Sequence, residues 1–146
     1  KMDNKTPEAR SLNMKAVTGK NTKPEMFVRS LLHKSGFRFS LHKKGLPGSP
    51  DLCMPKYKTV IFINGCFWHQ HKGCKKAALP KTNVDFWSEK LGKNLQRDQL
   101  QYEELEKMGW RVLVIWGCIC QQKNATQILE KVRKFLTGNE KYSEIG

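Results

Sequence analysis

A buried strand followed at once by a loop rich in metal-binding side chains is the feature that most constrains this chain. Residues 59–64, TVIFIN, are almost all apolar, which is typical of a strand covered on both faces. The ten residues that follow, GCFWHQHKGC, contain two cysteines, two histidines and two large aromatic side chains. Because a loop this polar has little other reason to bury thiols, the sequence predicts a metal bound here.

Three residues of the loop have a spacing that suits one tetrahedral ion, C-x4-H-x2-C: Cys66, His71 and Cys74. A closed site needs a fourth ligand, and Cys118 and Cys120 follow an apolar strand predicted at residues 110–117. Spacing alone does not choose between these two cysteines. Thiolates together with an imidazole favour zinc. An ion held by four protein ligands is structural, which leaves His69 free for another role.

The net charge indicates the kind of partner. The 146 residues carry 27 lysines and arginines against 13 acidic residues, which gives a formal net charge of +14. A field of this sign attracts polyanions, and nucleic acid first among them. Residues 1–20 are polar and basic and are predicted to form a DNA-contacting arm, whereas residues 21–146 are predicted to form a single domain.

The sequence also predicts where the protein works. It has no stretch with the roughly 18 apolar residues of a membrane helix, and its first 15 residues have no apolar signal-peptide centre. We therefore expect a cytoplasmic protein that associates with the nucleoid when it is bound to DNA. In that reducing compartment the five cysteines are expected to be buried, metal-bound or catalytic rather than joined in disulfides.

Hydrophobic periodicity and turn residues predict an α/β domain, with a mixed sheet flanked by helices. The predicted elements are a helix from a Thr22 cap to Gly36, strands at 37–41, 51–55 and 59–64, a helix at 84–108, a strand at 110–117 and a helix from an Asn124 cap to Gly138. The strands at 51–55 and 59–64 are expected to form a hairpin. One face of the long helix is expected to be buried: Trp87, Leu91, Leu95, Tyr102 and Leu105.

A candidate metal-binding carboxylate stands at the start of the second predicted strand. The turn LPGSP leads directly into Asp51, and a Pro-Asp pair that opens a strand ahead of a buried strand is the layout of the PD-(D/E)xK nucleases. In those enzymes the aspartate binds a divalent cation beside the scissile phosphate. The acid-x-Lys of that layout is absent from the next strand, where Phe62, Ile63 and Asn64 stand.

Five longer stretches occur in this order: RSLNMKAV, LPGSPD, VIFINGCFWHQH with Cys74 following, FWSEKLGKNLQRD, and GWRVLVIWGC. They cover about residues 10–118, and in this combination the chain resembles the Vsr (very-short-patch-repair) DNA mismatch endonucleases. The resemblance implies a restriction-endonuclease-like core of the PD-(D/E)xK superfamily. It also implies a Mg²⁺-dependent enzyme that nicks duplex DNA on the 5′ side of the T in a T:G mismatch, the product of 5-methylcytosine deamination. The family works with mismatch-repair proteins, and we expect a monomer.

The resemblance also implies roles for individual residues. The metal-binding aspartate of the family falls on Asp51, its metal-binding backbone carbonyl on Ile63 and its general base on His69. The supporting acids fall on Glu25 and Asp98. The ligands of a structural Zn²⁺ fall on Cys66, His71, Cys74 and Cys118. The DNA-binding positions, which include the aromatic wedge and the inserting residue of the arm, fall on Met14, Lys15, Phe67, Trp68, Trp87, Lys93 and Asn94.

Two active-site positions depart from the family pattern. Asn64 stands where the family typically has a histidine, and Ile63 stands where it has a hydroxyl residue. The Asn64 amide can donate to a phosphate oxygen but cannot act as an acid near neutral pH. Two alternatives follow from the residues: a non-catalytic, zinc-stabilised DNA-binding module, and a sequence-specific restriction endonuclease on the same fold. Asn64 and the missing acid-x-Lys favour the first of these.

Overall fold

The computed structural model describes residues 21–146, and the predicted arm of residues 1–20, with Met14 and Lys15, lies outside that range. Within the described range the chain forms three α-helices and a five-stranded sheet. The helices are α1 (Lys23–Lys34), α2 (Val84–Lys107) and α3 (Ala125–Thr137). The strands are β1 (Ser40–Leu41), β2 (Leu52–Met54), β3 (Thr59–Asn64), β4 (Arg111–Trp116) and β5 (Tyr142–Ile145).

The sheet is mixed, with the strands side by side in chain order from β1 to β5. β1, β2 and β3 pair antiparallel, whereas β3, β4 and β5 pair parallel. The parallel pairs need long connections, which α2 and α3 supply. The predicted α/β class, with a mixed sheet flanked by helices, is therefore confirmed, as is the hairpin of β2 and β3.

Helices cover both faces of the sheet. One face packs against α1 and α3 through a core of twelve buried residues that includes Val28, Ile61, Ile115 and Ile128. The opposite face packs against α2 through Tyr102 and Leu105 and lies under the loop after β3. The central strands β3 and β4 are covered on both faces, which explains why their sequences read as apolar runs without alternation.

The first turn of α1 forms as the sequence predicts. Thr22 is the N-cap, and its side-chain oxygen accepts a hydrogen bond from the backbone N–H of Glu25 at 3.3 Å. Pro24 occupies the first turn, where its missing N–H carries no penalty. This cap holds Glu25 at the start of the helix, and the side chain of Glu25 is buried.

Two predicted strands differ from the structure. The strand predicted at 37–41 is only Ser40–Leu41, because its ladder with β2 is two residue pairs long. β5 was not predicted. Of its residues only Ile145 is buried, and such an edge strand lacks the apolar pattern that reveals a central one.

Two helix details also need correction. Leu95 was expected on the buried face of α2, but 45% of its surface is exposed. Asn124 precedes α3 as predicted, yet its side chain donates to the carbonyl of Ile119 and makes no capping bond. α2 is 24 residues long, but no helix within residues 21–146 combines the length and apolar character that crossing a membrane requires.

Candidate active site

The topology brings several chain segments to one end of the sheet. β2 runs antiparallel to β3, so Asp51, which precedes β2, lies beside the end of β3 at Asn64. The end of β1 lies there as well, because Leu41 pairs with Leu52. The N-terminus of α1 reaches the same place, since the ring of Pro24 lies close to Gly117 after β4. Polar residues at these segment ends therefore form one cluster.

The loop before Asp51 packs tightly and fixes that residue. Gly48 has a φ of +77°, and a Cβ atom there would stand 3.1 Å from the ring of Phe62. The backbone N–H of Ile63 donates to Oδ2 of Asp51 at 2.8 Å. Ile63 is paired with Ile115 in β4, so this bond ties the carboxylate to the central strands of the sheet.

The electrostatic environment of Asp51 is unusual for a carboxylate. Burial above all, together with the neighbouring Glu25 carboxylate, raises the pKa of Asp51 to about 7. The hydrogen bond from Ile63 and the nearby imidazole of His69 act in the opposite direction. Two acids packed together in a buried place repel each other when both are ionised, and a bound cation relieves that repulsion. The pair therefore has the electrostatics of a cation site.

Three oxygen- or nitrogen-bearing side chains form the cluster around Asp51. One ligand atom each from Glu25, His42 and Asp51 lies within 4.8 Å of the others. Glu25 is only 1% exposed. Its Oε1 atom accepts from the backbone N–H of Asn21 at 3.0 Å, and Nε2 of His42 lies 2.7 Å from its Oε2 atom. Carboxylate oxygens are the ligands that Mg²⁺ prefers, so the donor set fits a hard divalent cation.

His69 and Asp98 form a second polar pair. Nδ1 of His69 lies 2.5 Å from Oδ2 of Asp98, which α2 carries. The side chains are 30% and 15% exposed respectively, so the pair is shielded but reachable. The backbone N–H of His69 donates to the carbonyl of Gly65, which fixes the start of the loop. Since Nδ1 faces the carboxylate, Nε2 is the ring nitrogen that can accept a proton.

Asn64 faces the interior. It is 4% exposed, and its Nδ2 atom donates to the hydroxyl of Tyr102 at 2.9 Å. Burial raises the pKa of Tyr102, which keeps that phenol protonated. The bond connects the end of β3 to α2. In this position the Asn64 side chain supports the packing of the helix on the sheet, rather than presenting its amide to solvent.

Four side chains meet beneath the loop after β3. Their ligand atoms all lie within 4.8 Å of one another: Cys66, His71, Cys74 and Cys118. Nδ1 of His71 is 3.6 Å from Sγ of Cys66 and 3.5 Å from Sγ of Cys118. Ligands on a tetrahedral zinc with Zn–S near 2.3 Å and Zn–N near 2.0 Å stand about 3.5 Å apart. The observed separations match that requirement.

The surroundings of the four side chains also suit a metal. Burial raises the pKa of the Cys66 thiol to about 12, so its thiolate would need a bound cation to stabilise it, whereas the backbone N–H of Lys76 lowers the pKa of the Cys74 thiol. Nε2 of His71 donates to the carbonyl of Gly146 at 3.3 Å, and its ring stacks on Trp116. Such an outer partner orients a metal-binding imidazole.

The structure places Cys118, and not Cys120, with this cluster. The chain turns into a short 3₁₀ helix at Gly117, so β4 does not continue through both cysteines. Sγ of Cys120 points instead to the carbonyl of Trp116 at 3.5 Å, and its surroundings are those of the α1 and α3 core. Burial raises the pKa of Cys120 to about 12. Cys120 therefore packs against the core and lies outside the cluster.

The aromatic side chains predicted to form a wedge make one cluster. The rings of Phe67 and Trp68 are 5.1 Å apart, and Trp87 lies 5.5 Å from the first and 6.0 Å from the second. All three are half-buried. Phe86 contacts Trp87 at 5.3 Å and is 59% exposed. The loop and the first turn of α2 thus present an aromatic surface beside His69.

The other two predicted DNA-binding residues of α2 have different surroundings. Nδ2 of Asn94 donates to the carbonyl of Trp68 at 3.2 Å, and Oδ1 accepts a hydrogen bond from Arg97. Asn94 therefore supports the backbone of the loop after β3 at Trp68. Lys93 is exposed and pairs with Glu89 one turn earlier. Such an exposed pair contributes little to stability, so the lysine remains available to an anion.

Sequence reasoning missed His42. It follows β1, and its imidazole enters the Glu25 and Asp51 cluster. The sequence shows only a histidine before two lysines in a turn. The register of β1 on β2 would have been the signal, because it places the residue after Leu41 beside Asp51.

Comparison with known proteins gives consistent matches. The family model of the DNA mismatch endonuclease Vsr matches residues 2–76. The chain is 50% identical to the type II nicking enzyme V.XorIIP of Xanthomonas oryzae over 116 residues, 80% of this chain and 85% of the relative. It is 47% identical to the type II nicking enzyme V.NmeAIP of Neisseria meningitidis, over 81% and 84% of the two chains. It is 36% identical to the DNA mismatch endonuclease Vsr of Escherichia coli, over 93% and 88%.

Proposed function

The chain belongs to the Vsr family of DNA mismatch endonucleases, and from this we propose that it is a Mg²⁺-dependent enzyme that nicks duplex DNA 5′ of the T in a T:G mismatch. Family membership makes it an endonuclease, a hydrolase that acts on DNA, and favours this over a non-catalytic module. One observation supports the proposal most. The Asp51 and Glu25 carboxylates, the His69–Asp98 pair and an aromatic surface lie at the same end of the sheet.

The residues around Asp51 would hold the divalent cation. Asp51 and the carbonyl of Ile63 would bind Mg²⁺, with Glu25 as the supporting acid. Few protein ligands are enough, because Mg²⁺ keeps several of its waters. When bound, Mg²⁺ supplies positive charge where negative charge develops on the phosphate and the leaving oxygen. The bond from Ile63 to Asp51 keeps the carboxylate in place for this role.

His69 would act as the general base. Its Nδ1 atom carries the hydrogen bonded to Asp98, so the lone pair on Nε2 is free to accept a proton from the attacking water. Asp98 holds the ring orientation and stabilises the imidazolium that forms. The 30% exposure of His69 leaves a path for water and for the phosphate.

The aromatic cluster would select the mismatch. Phe67, Trp68 and Trp87 form an apolar edge that can enter between base pairs, and Asn94 supports the Trp68 backbone. Separating stacked bases costs a few kcal/mol per step, and costs least at a mismatch. Met14 of the arm would insert beside them, and Lys15 and Lys93 would bind the DNA backbone.

The four ligands below this edge would hold a structural Zn²⁺. Three thiols and one imidazole at tetrahedral spacing match that ion, and closed coordination makes the site structural. The ligands Cys66 and His71 bracket Phe67, Trp68 and His69 in sequence. Zinc would thereby fix the loop that carries the general base and two of the three wedge residues, whereas Trp87 lies on α2.

The proposal extends to organisation and partners. A basic arm of residues 1–20 would track the DNA backbone, and residues 21–146 would form one restriction-endonuclease-like domain that works as a monomer. The net charge of +14 supports duplex DNA as the partner. Mismatch-repair proteins are the partners that the family resemblance implies.

A second candidate is a nicking or restriction enzyme that recognises a particular sequence. The 50% and 47% identical relatives are both named type II nicking enzymes, and this favours it. An assay with labelled duplexes separates the candidates. The panel would contain T:G and matched C:G pairs in several flanking sequences, with and without Mg²⁺. The proposal predicts a nick 5′ of the T in T:G duplexes alone, whereas nicking of matched duplexes would contradict it.

A further inference from the structure

His42 connects the two carboxylates of the candidate metal centre. Its backbone N–H donates to the carbonyl of Asp51 at 3.0 Å, which extends the ladder of β1 and β2 by one bond. Its Nε2 atom lies 2.7 Å from Oε2 of Glu25 in α1. One residue is therefore bound to the strand that carries Asp51 and to the helix that carries Glu25.

The Glu25 carboxylate needs this partner. It is 1% exposed, and an ionised carboxylate can only accept hydrogen bonds, so His42 must be the donor. Asn21 occupies the other oxygen, and Arg29 is more distant at 3.4 Å. Without His42, the Oε2 atom would lose its shortest partner while remaining buried next to Asp51, whose charge repels it.

The backbone at His42 is held in a special conformation. Its φ is +45°, in the left-handed region that few residues other than glycine adopt. From this turn the side chain of His42 reaches Glu25 in α1. The imidazole is 14% exposed and is thus enclosed by the cluster that it joins.

We propose that His42 is a positioning residue that holds the Glu25 carboxylate beside Asp51 and so sets the affinity of the centre for its divalent cation. The inference rests on the proposed function, because it takes Asp51 as the cation-binding residue. Partners of this kind, one step removed from the metal, typically change metal affinity by 10–100-fold when they are replaced.

Three substitutions separate the side-chain role from the backbone role. His42→Gln places an amide N–H₂ at the reach of Nε2, so it keeps the donor to Glu25. His42→Asn accepts a left-handed φ more readily but is too short to reach Glu25. His42→Ala removes the donor altogether. A role confined to the backbone turn would favour Asn over Gln, which is the opposite of the order expected from positioning.

The test is a titration of the full chain with Mn²⁺, without DNA, in which free Mn²⁺ is followed by electron paramagnetic resonance. The protein is first loaded with one equivalent of zinc so that the cysteines are occupied. We expect the Ala and Asn variants to bind Mn²⁺ about 10–100-fold more weakly, and the Gln variant to bind within about threefold of the wild type. The Mg²⁺ concentration for half-maximal nicking should shift in the same order.

Asp51→Asn is the reference variant that distinguishes failure of the His42 inference from failure of the proposed metal centre. If Asp51→Asn loses Mn²⁺ binding but His42→Ala binds like the wild type, the positioning role of His42 is wrong and the proposed metal centre stands. If Asn at position 42 rescues binding better than Gln, His42 acts through its backbone and the inference is also wrong. If Asp51→Asn retains both Mn²⁺ binding and nicking, the proposed centre itself fails, and the inference fails with it.

Discussion

Nδ1 of His69 lies 2.5 Å from Oδ2 of Asp98, although 28 residues separate the two along the chain. The loop after β3 supplies the histidine and the middle of α2 supplies the aspartate. The bond assigns the hydrogen to Nδ1 and leaves the lone pair of Nε2 uncommitted within this pair. This is the arrangement on which the proposed general-base role of His69 rests.

His69→Ala should slow nicking by roughly 10²–10⁴-fold, the usual contribution of a general base. Asp98→Asn should slow it by less, because the imidazole remains but its tautomer is no longer enforced. Single-turnover cleavage of a T:G duplex measures both. Zinc content should be unchanged in each variant, since neither residue belongs to the cysteine cluster. Unchanged cleavage by His69→Ala would assign proton transfer to another group.

Asp51→Asn should stabilise the protein at pH 8 when no divalent cation is present. Folding raises the pKa of Asp51 from an ordinary value of 3.8 to about 7, mainly because the carboxyl is buried. The contribution of protonated Asp51 to the free energy of unfolding is therefore complete below pH 4 and is lost as pH rises through 7. Asparagine does not ionise, so the variant keeps this stability at pH 8. One pKa unit corresponds to about 1.4 kcal/mol, so the gain is at most about 4 kcal/mol.

Urea unfolding at pH 4 and pH 8 checks this. The two proteins should differ little at pH 4, and added Mg²⁺ at pH 8 should stabilise the wild type more than the variant. A variant that is less stable than the wild type at pH 8 without cation would show that the surroundings do not destabilise the charged form of Asp51.

Cys74→Ala should lower both the zinc content and the melting temperature. Sγ of Cys74 is one of four ligand atoms within 4.8 Å of one another, and structural zinc contributes directly to folding. Cys120→Ala is the matched control, because Sγ of Cys120 bonds to the carbonyl of Trp116 and not to the cluster. This variant should keep about one zinc per chain. The zinc content of each purified variant, measured by metal analysis, tests this prediction. Loss of zinc from the control would reassign the fourth ligand.

Trp68→Ala should weaken binding to a T:G duplex by about 1–3 kcal/mol, the range for loss of one stacking aromatic in nucleic-acid complexes. The melting temperature should change little, because Trp68 is only half-buried in a surface cluster with Phe67 and Trp87. Fluorescence anisotropy with labelled duplexes gives the affinity. Leu100→Ala, at an exposed position of α2, should bind normally. Unfolding of Trp68→Ala would instead identify a core residue.

The sequence predicted the parts of the fold that are set by local patterns. Thr22 with Pro24 marked the start of α1, and the apolar runs of β3 and β4 revealed strands covered on both faces. β5 was not predicted because only Ile145 of this strand is buried. Leu95 was wrongly predicted to be buried, because helical spacing shows which residues share a face but not how far along the helix that face is covered.

The parts of the candidate site that depend on strand register and tertiary packing could not be predicted from the sequence. The dense C-x4-H-x2-C loop predicted a metal cluster, the Pro-Asp strand opening indicated Asp51, and the resemblance supplied the roles of His69 and Asp98. The 3₁₀ turn at Gly117, which separates Cys118 from Cys120, has no clear sequence signal. Nor does the burial of Asn64 against Tyr102, or the entry of His42 into the Asp51 cluster, because both follow from tertiary packing.

We expect Asp51 to hold the cation that cleavage requires. Single-turnover nicking of a T:G duplex by wild type and by Asp51→Asn tests this, in Mg²⁺, with DNA binding and zinc content measured in parallel. Asparagine keeps the shape of the side chain and removes the charge. We predict that the variant binds the mismatch and retains zinc but does not nick, whereas cleavage at the wild-type rate would show that Asp51 does not hold the cation.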